Sequence, residues 1–355
     1  MKAAVWHKRH DIRIESFPDP GPPALDQVRV RVSWCGICGT DLEEYLYGPL
    51  FIPAENPNPL TGRTAPMVMG HEFVGIVDEV GPHVSGLKPG DHVAIDTLLH
   101  CGKCYFCNQH LVQLCEKLAI MGLSTDGGLA EFVNAPSYMC FKYPATLPDD
   151  HAALAEPASV AVRAVRRGLL SAGEIVVIIG AGTIGLLTLQ VAIAMGAQSV
   201  IVLEPAENRR KIAVQLGAIA VVDPNIDDPV LAVHALTGGL GADVVFECGG
   251  NVKTMEMAPT LARKQGRAVM VGLHDAPVSM SLLPVVVGEK EIIGSFSHVY
   301  DEDFGPAVEL LSTGKINAEP LITARIALDD LVSQGLDELA LSKSRHLKIL
   351  VSPRS

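Results

Sequence analysis

Basic charge is scarce in this chain. Its 355 residues hold 28 Lys and Arg against 40 Asp and Glu, a net charge of −12. No lysine- or arginine-rich tail is present, and an acidic chain repels phosphate backbones, so nucleic acid is not an expected partner. The first residues, MKAAVWHKRHDIRIE, lack an apolar secretory core. No signal peptide is therefore expected, and a cytoplasmic location is. Internal repeats and low-complexity tracts are also missing. Charge disappears between Glu174 and Glu204, a length that imitates a membrane span. The interior argues otherwise: a β-branched run at 175–179, three glycines, a helix-like stretch, then a second β-branched run at 200–202. That order reads as strand, turn, helix and strand, buried on both sheet faces, and no membrane association is expected.

What is present describes a globular protein, with 48% hydrophobic and 19% charged residues. The length suits two domains with cores large enough to need no disulfide staples. Residues 1–157 read as β-rich: runs such as 28–32 and 73–77 are separated by proline and glycine turns. After Glu156-Pro157 the rhythm changes. Strands are expected at 175–179, 200–203, 221–222, 244–246 and 268–271, with helices at 184–195 and 206–216 between them. This alternation predicts an α/β fold with a doubly wound parallel sheet over 158–296. From about 297 to 355 the pattern loosens into a helix at 304–311, a 316–322 segment and a terminal strand at 347–351.

The turn GAGTIG at 180–185 fits G-x-G-x-x-G. It follows a β run and opens a helix, and the acidic Glu204 ends the next strand about 20 residues on. Gly180 permits the tight turn, Gly182 lets backbone approach a pyrophosphate, and Gly185 lets helix pack on strand. The helix N-terminus offers N–H groups and a positive dipole end to phosphate. Glu204 would bind adenosine ribose hydroxyls and repel a 2′-phosphate, which favours NAD over NADP. Arg209 and Arg210 lie close enough in sequence to keep NADP open.

Half of the 8 cysteines crowd into HCGKCYFCNQHLVQLC at 100–115. Cys101, Cys104, Cys107 and Cys115 have the spacing C-x2-C-x2-C-x7-C, which suits a tetrahedral zinc site. Disulfides and an iron–sulfur cluster are the alternative uses of these thiols. Four protein ligands close a zinc, so this site would hold a loop and leave no position for substrate. An open site needs other donors. CGICGTD at 35–41, GHE at 70–72 and AEP at 155–157 supply Cys38, His71, Glu72 and Glu156. One thiolate, one imidazole and one or two carboxylates make a mixed site with room for water or substrate. Cys35, Cys140 and Cys248 read as packing residues, with a further role open for Cys35 because it lies near the proposed metal donors.

These motifs, with EPASVA at 156–161, occur together in an order that resembles the zinc-dependent medium-chain alcohol and polyol dehydrogenases. Within that family WCGICGTDLEEYLYGPLFIP, PLTGRTAPMVMGHEFVG and LLSTGKINAEPLIT resemble the 2,3-butanediol branch, with sorbitol and threonine dehydrogenases as similar cousins. The resemblance implies a GroES-like β-barrel domain with the catalytic zinc, a Rossmann NAD-binding domain, a return of the chain to the barrel, and a homodimer or homotetramer. It implies two zinc ions per chain, NAD, and a small alcohol or ketone substrate. By likeness Cys38, His71 and Glu156 fall on zinc-ligand positions, and Glu72 on a direct or exchangeable one. Thr40 falls where the family takes the alcohol proton. Position 43, usually a proton-relaying histidine in the butanediol and threonine branches, is Glu43 here; a carboxylate can relay only if burial raises its pKa. For the nucleotide, Gly180, Gly182, Thr183, Ile184 and Glu204 match pyrophosphate and ribose positions. Val271, Gly272 and Leu273 resemble the backbone run at the nicotinamide, and Ser295 and Ser297 later contacts to its carboxamide. A zinc-lacking quinone reductase or nucleotide-binding scaffold would have lost the ligand positions.

Overall fold

The computed structural model describes residues 1–342 and 345–354. The chain forms two compact units: Met1–Glu156, Val299–Ser312 and Leu321–Ser355 make the first, Pro157–His298 and Thr313–Pro320 the second. The segments expected from sequence, 1–157, 158–296 and 297–355, differ from this at their edges, where Pro157, Ser297 and His298 group with the second unit, and more substantially at Thr313–Pro320, which also groups with the second unit. Gln190 explains the attachment. Its Oε1 accepts from Asn317 N at 2.7 Å and its Nε2 donates to Asn317 O at 3.4 Å.

In the first unit the Gln27–Gly36 strand reads QVRVRVSWCG. Val28, Val30 and Val32 are fully buried while the arginines between them face outward, the period-two pattern of a half-buried strand. It sits inside a seven-stranded sheet ordered Cys140–Lys142, His92–Ile95, Glu72–Val80, Gln27–Gly36, Lys348–Ser352, Ile322–Ala327, with Phe132–Pro136 also paired to Gln27–Gly36. Among the described residues, only the Ile322–Ala327 and Lys348–Ser352 pair in this sheet is parallel. A smaller sheet places Lys2–Lys8 between Asp11–Ser16 and Met67–Val68. Trp6, Met67, Met69, Phe73, Ile95 and Leu129 fill the core. Register joins distant motifs: Gly36 lies opposite both Glu72 and Leu350, so the end of one strand links the GHE motif to the C-terminal strand.

The second unit is a six-stranded, all-parallel sheet ordered Ala220–Val222, Ser199–Leu203, Ile175–Ile179, Ala242–Glu247, Ala262–Met270, Glu291–Gly294. Strand order reverses at Ile175–Ile179, the switch point of a doubly wound fold. The uncharged stretch resolves into two of these strands and the Thr183–Ala194 helix, whose residues 185–192 are all buried. Among the described residues no helix is long and apolar enough to cross a membrane.

Candidate functional site

Cys38 caps the Gly39–Tyr47 helix, and its backbone N–H donates to Asp41 Oδ2 at 2.9 Å, so the CGICGTD turn is fixed by its own aspartate. Glu72 opens the Glu72–Val80 strand, and His71 directly precedes it. The folding of the sheet brings one ligand atom each of Cys38, His71 and Glu72 within 4.8 Å of one another. The Thr40 hydroxyl lies 3.9 Å from Cys38 Sγ. Glu156, at the start of the Ala155–Arg167 helix, stands outside that cluster. Its charge is felt at Lys348, whose ammonium also senses Glu72 and Cys38. Glu43 is exposed, so the burial that a proton relay through it requires is absent.

Sequence reasoning missed two members of this site. Asp41 is buried, with Oδ1 3.4 Å from His71 Nδ1. Lys348 is 3% exposed and donates to Glu72 Oε2 at 2.5 Å and Ile37 O at 3.0 Å. A lysine inside the apolar run HLKILV was the available signal. Burial disfavours a charged imidazole, but the Asp41 carboxylate and Cys38 thiol outweigh it and raise His71 well above its usual pKa. Cys35 is not a member of the cluster; burial pushes its thiol far up.

The donors fit a bound cation. The Cys38 thiol and the Glu72 and Asp41 carboxyls gather oxygen and sulfur donors here, beside the buried Lys348 ammonium. His71 Nδ1 and Asp41 Oδ1 are buried without a hydrogen-bond partner. A cation ligated by His71 requires the imidazole neutral and reverses the present balance.

The second cluster is Cys101, Cys104, Cys107 and Cys115. Sulfur–sulfur separations are 3.5 Å for Cys104–Cys107, 3.9 Å for Cys101–Cys107 and 4.0 Å for Cys104–Cys115. A zinc–sulfur tetrahedron with bonds of about 2.3 Å has edges of about 3.8 Å, so these thiols already have its dimensions. All eight cysteines are free. Backbone N–H groups of Cys107 and Glu116 draw Cys104 down to about 6, while burial pushes Cys107 up to about 12.

In the second unit Gly182 caps the Thr183–Ala194 helix, and no side chain caps this N-terminus. A Cβ at Gly182 would meet nothing within 4 Å, whereas one at Gly185 would lie 1.9 Å from Gly180 O. The turn is therefore open where a phosphate would sit and closed where helix packs on strand. Ile184 and Thr183 begin that helix. Glu204 is buried; its Oε2 accepts from Ala181 N at 2.7 Å and its Oε1 from Ala206 N at 2.9 Å, so it braces the glycine turn. Arg210 is committed to Asp223 at 2.8 Å and to the carbonyls of Glu204 and Pro205. Arg209 lies on the Glu207–Gln215 helix, half-buried. The N–H groups of Val271 and Gly272 both donate to Glu247 O at 3.0 Å, and Leu273 is exposed. Ser295 is buried, and Ser297 has a left-handed φ of 50°.

Comparison with known proteins gives the family. Residues 24–145 match the family described as alcohol dehydrogenase GroES-like domain, and residues 183–313 match zinc-binding dehydrogenase. The (R,R)-butanediol dehydrogenase of Bacillus subtilis (strain 168) is 38% identical, covering 99% of this chain and 100% of that one. An L-threonine 3-dehydrogenase of Pyrococcus abyssi is 35% identical, covering 92% of this chain and 91% of its own. Among solved structures, 2R,3R-butanediol dehydrogenase from Bacillus subtilis superposes with a TM-score of 0.92 at 36% identity over 99% of both chains. A zinc-binding dehydrogenase from Sinorhizobium meliloti 1021 bound to NADP gives 0.87 at 32% identity, also over 99% of both. The chain belongs to the zinc-dependent medium-chain alcohol dehydrogenases, oxidoreductases that work with a nicotinamide cofactor.

Proposed function

We propose that this enzyme oxidises secondary alcohols, foremost vicinal diols of the 2,3-butanediol type, to acyloins such as acetoin, and catalyses the reverse reduction, with NAD as hydride carrier. The observation that carries the reading is the meeting of thiol, imidazole and carboxylate within 4.8 Å, with the Thr40 hydroxyl at 3.9 Å from Cys38 Sγ. Cys38, His71 and Glu72 are the ligands of an open zinc site, with Glu156 as a further carboxylate for it. Cys101, Cys104, Cys107 and Cys115 hold a second, structural zinc.

When bound, zinc supplies Lewis-acid polarisation of a carbinol or carbonyl oxygen, and the nicotinamide supplies the hydride acceptor or donor. Asp41 orients the His71 ring across 3.4 Å. Lys348 holds one oxygen of Glu72 and so limits how strongly that carboxylate engages. Thr40 Oγ1 would accept the alcohol O–H and release its own proton to water, while the carbinol C–H would pass as hydride to the oxidised nicotinamide and leave a ketone. Glu204 favours NAD, because a 2′-phosphate beside it would face a carboxylate while Arg210 is held by Asp223.

A homodimer is the expected assembly. Leu282, Leu283, Val286 and Val287 are 60–71% exposed, and among the described residues the Glu291–Gly294 edge strand near them in sequence pairs on one side only. An apolar edge of this kind needs cover, and a two-fold copy supplies an identical strand.

The test is an initial-rate panel of butanediol stereoisomers, acetoin, sorbitol and L-threonine with NAD and NADP. A vicinal diol or acyloin should lead in kcat/KM by at least about tenfold. Activity should vanish with a chelator and return with zinc. A preference for L-threonine would transfer the chain to the activity of its 35% identical relatives.

A further inference from the structure

The Ala242–Glu247 strand ends on a charge that the proposed mechanism does not use. Glu247 is 0% exposed. Its Oε1 accepts from the backbone N–H groups of Gly249 and Gly250, both at 2.8 Å. Its Oε2 is buried without a hydrogen-bond partner. Among the described residues no Lys, Arg or His forms an ion pair with it. A half-satisfied buried carboxylate works against stability, and a fold retains such a group where it serves a site.

Its place indicates which site. Ile179 pairs with Leu203 on one side and with Glu247 on the other, so Glu204 and Glu247 flank the glycine turn at nearly the same level. In a doubly wound sheet the dinucleotide straddles the reversal of strand order. Glu204 stands on the adenosine side, which leaves Glu247 on the nicotinamide side. Its backbone carbonyl holds the N–H groups of Val271 and Gly272. A Cβ at Gly272 would lie 2.7 Å from Glu247 Oε2 and 2.5 Å from Gly250 Cα, so the 271–273 turn is pressed against the carboxylate and only glycine fits. The oxidised nicotinamide ring is a cation and the reduced ring is neutral. A buried anion without a counter-cation therefore interacts unequally with the two forms.

We propose that Glu247 is a specificity-determining residue of the nucleotide site, whose uncompensated carboxylate favours the oxidised over the reduced nicotinamide. The proposal rests on the reading of 180–185 as the dinucleotide turn. Calorimetric titration of the zinc-loaded enzyme and of Glu247→Gln with NAD+, NADH and ADP-ribose tests it. The amide should weaken NAD+ by about tenfold and leave NADH and ADP-ribose within about twofold. An unchanged NAD+ to NADH ratio, or equal weakening of all three, would reduce Glu247 to a brace for the turns and overturn the proposal. Wild-type protein that bound none of the three would instead remove the dinucleotide reading, and the proposal with it. Should Glu247→Gln fail to fold, Glu247→Asp keeps the charge on a shorter arm. It must retain the wild-type ratio even where all three ligands weaken, and a changed ratio overturns the proposal.

Discussion

Lys348 and Glu72 form a buried pair at 2.5 Å, with 4% and 2% of their side chains exposed. Neither group has water to turn to when its partner is removed. Lys348→Met should destabilise the zinc-free protein by about 3–5 kcal/mol, because it strands a buried carboxylate. Urea unfolding followed by circular dichroism reads this directly. A loss under about 1 kcal/mol would mean that Glu72 finds another partner. Glu43 and Glu44 show how one position changes a residue's fate. Glu43 is exposed, while Glu44 is fully buried and accepts from the N–H groups of Leu50, Phe51 and Ile52. The helix period turned the second glutamate inward, and it fastens the loop that comes after the CGICGTD turn and its helix.

At the scale of elements, the 100–115 segment has little regular structure beyond two short helical turns, Tyr105–Asn108 and Val112–Leu114. The proposed zinc would supply the cross-links that this segment lacks. Cys104→Ser should lower zinc content from two to one per chain in elemental analysis. It should also lower the melting temperature while the Cys38 site stays loaded; two zincs retained in the variant would refute the four-thiolate assignment. Elsewhere a single ion pair ties a turn to a strand. Arg29, through its hydrogen bonds, and the Gly21 N–H hold the Asp19 carboxyl at about 2, below its ordinary 3.8. A depressed carboxylate stabilises the fold above pH 3.8, and that contribution is lost as pH falls toward 2. Asp19 is 45% exposed, so solvent screens the pair, and Asp19→Asn should cost below about 1 kcal/mol at pH 7. Acid titrations of the two proteins should draw together below pH 3.8 and converge only near pH 2; curves that stay parallel would place the effect outside this pair.

For the whole molecule, assembly is the open quantity that the surface addresses. Val286→Lys puts a charge in the exposed apolar run and should convert a dimer to monomer in light scattering. An unaltered mass would locate the interface elsewhere. The alternation of strands and helices, the glycine turn and the four-cysteine lobe were legible because each depends on short spacings. Such spacings set backbone geometry almost independently of the rest of the chain. Thr313–Pro320 was not legible: its attachment rests on Gln190, 127 residues earlier.

Composition and spacing alone determined which groups were available: four thiols crowded between Cys101 and Cys115, a glycine turn of the G-x-G-x-x-G pattern, and a set of oxygen, nitrogen and sulfur donors scattered between Cys38 and Glu156. Only tertiary structure decided which donors meet. Strand register aligned Gly36 with Glu72 and Leu350, and so delivered Lys348 to Glu72 across 276 residues. It also drew Cys38, His71 and Glu72 together, left Glu156 outside their cluster, and buried Glu247 beneath two glycine turns. The reason is physical: the cost of burying a charge, and the partner that offsets it, depend on neighbours supplied by distant strands.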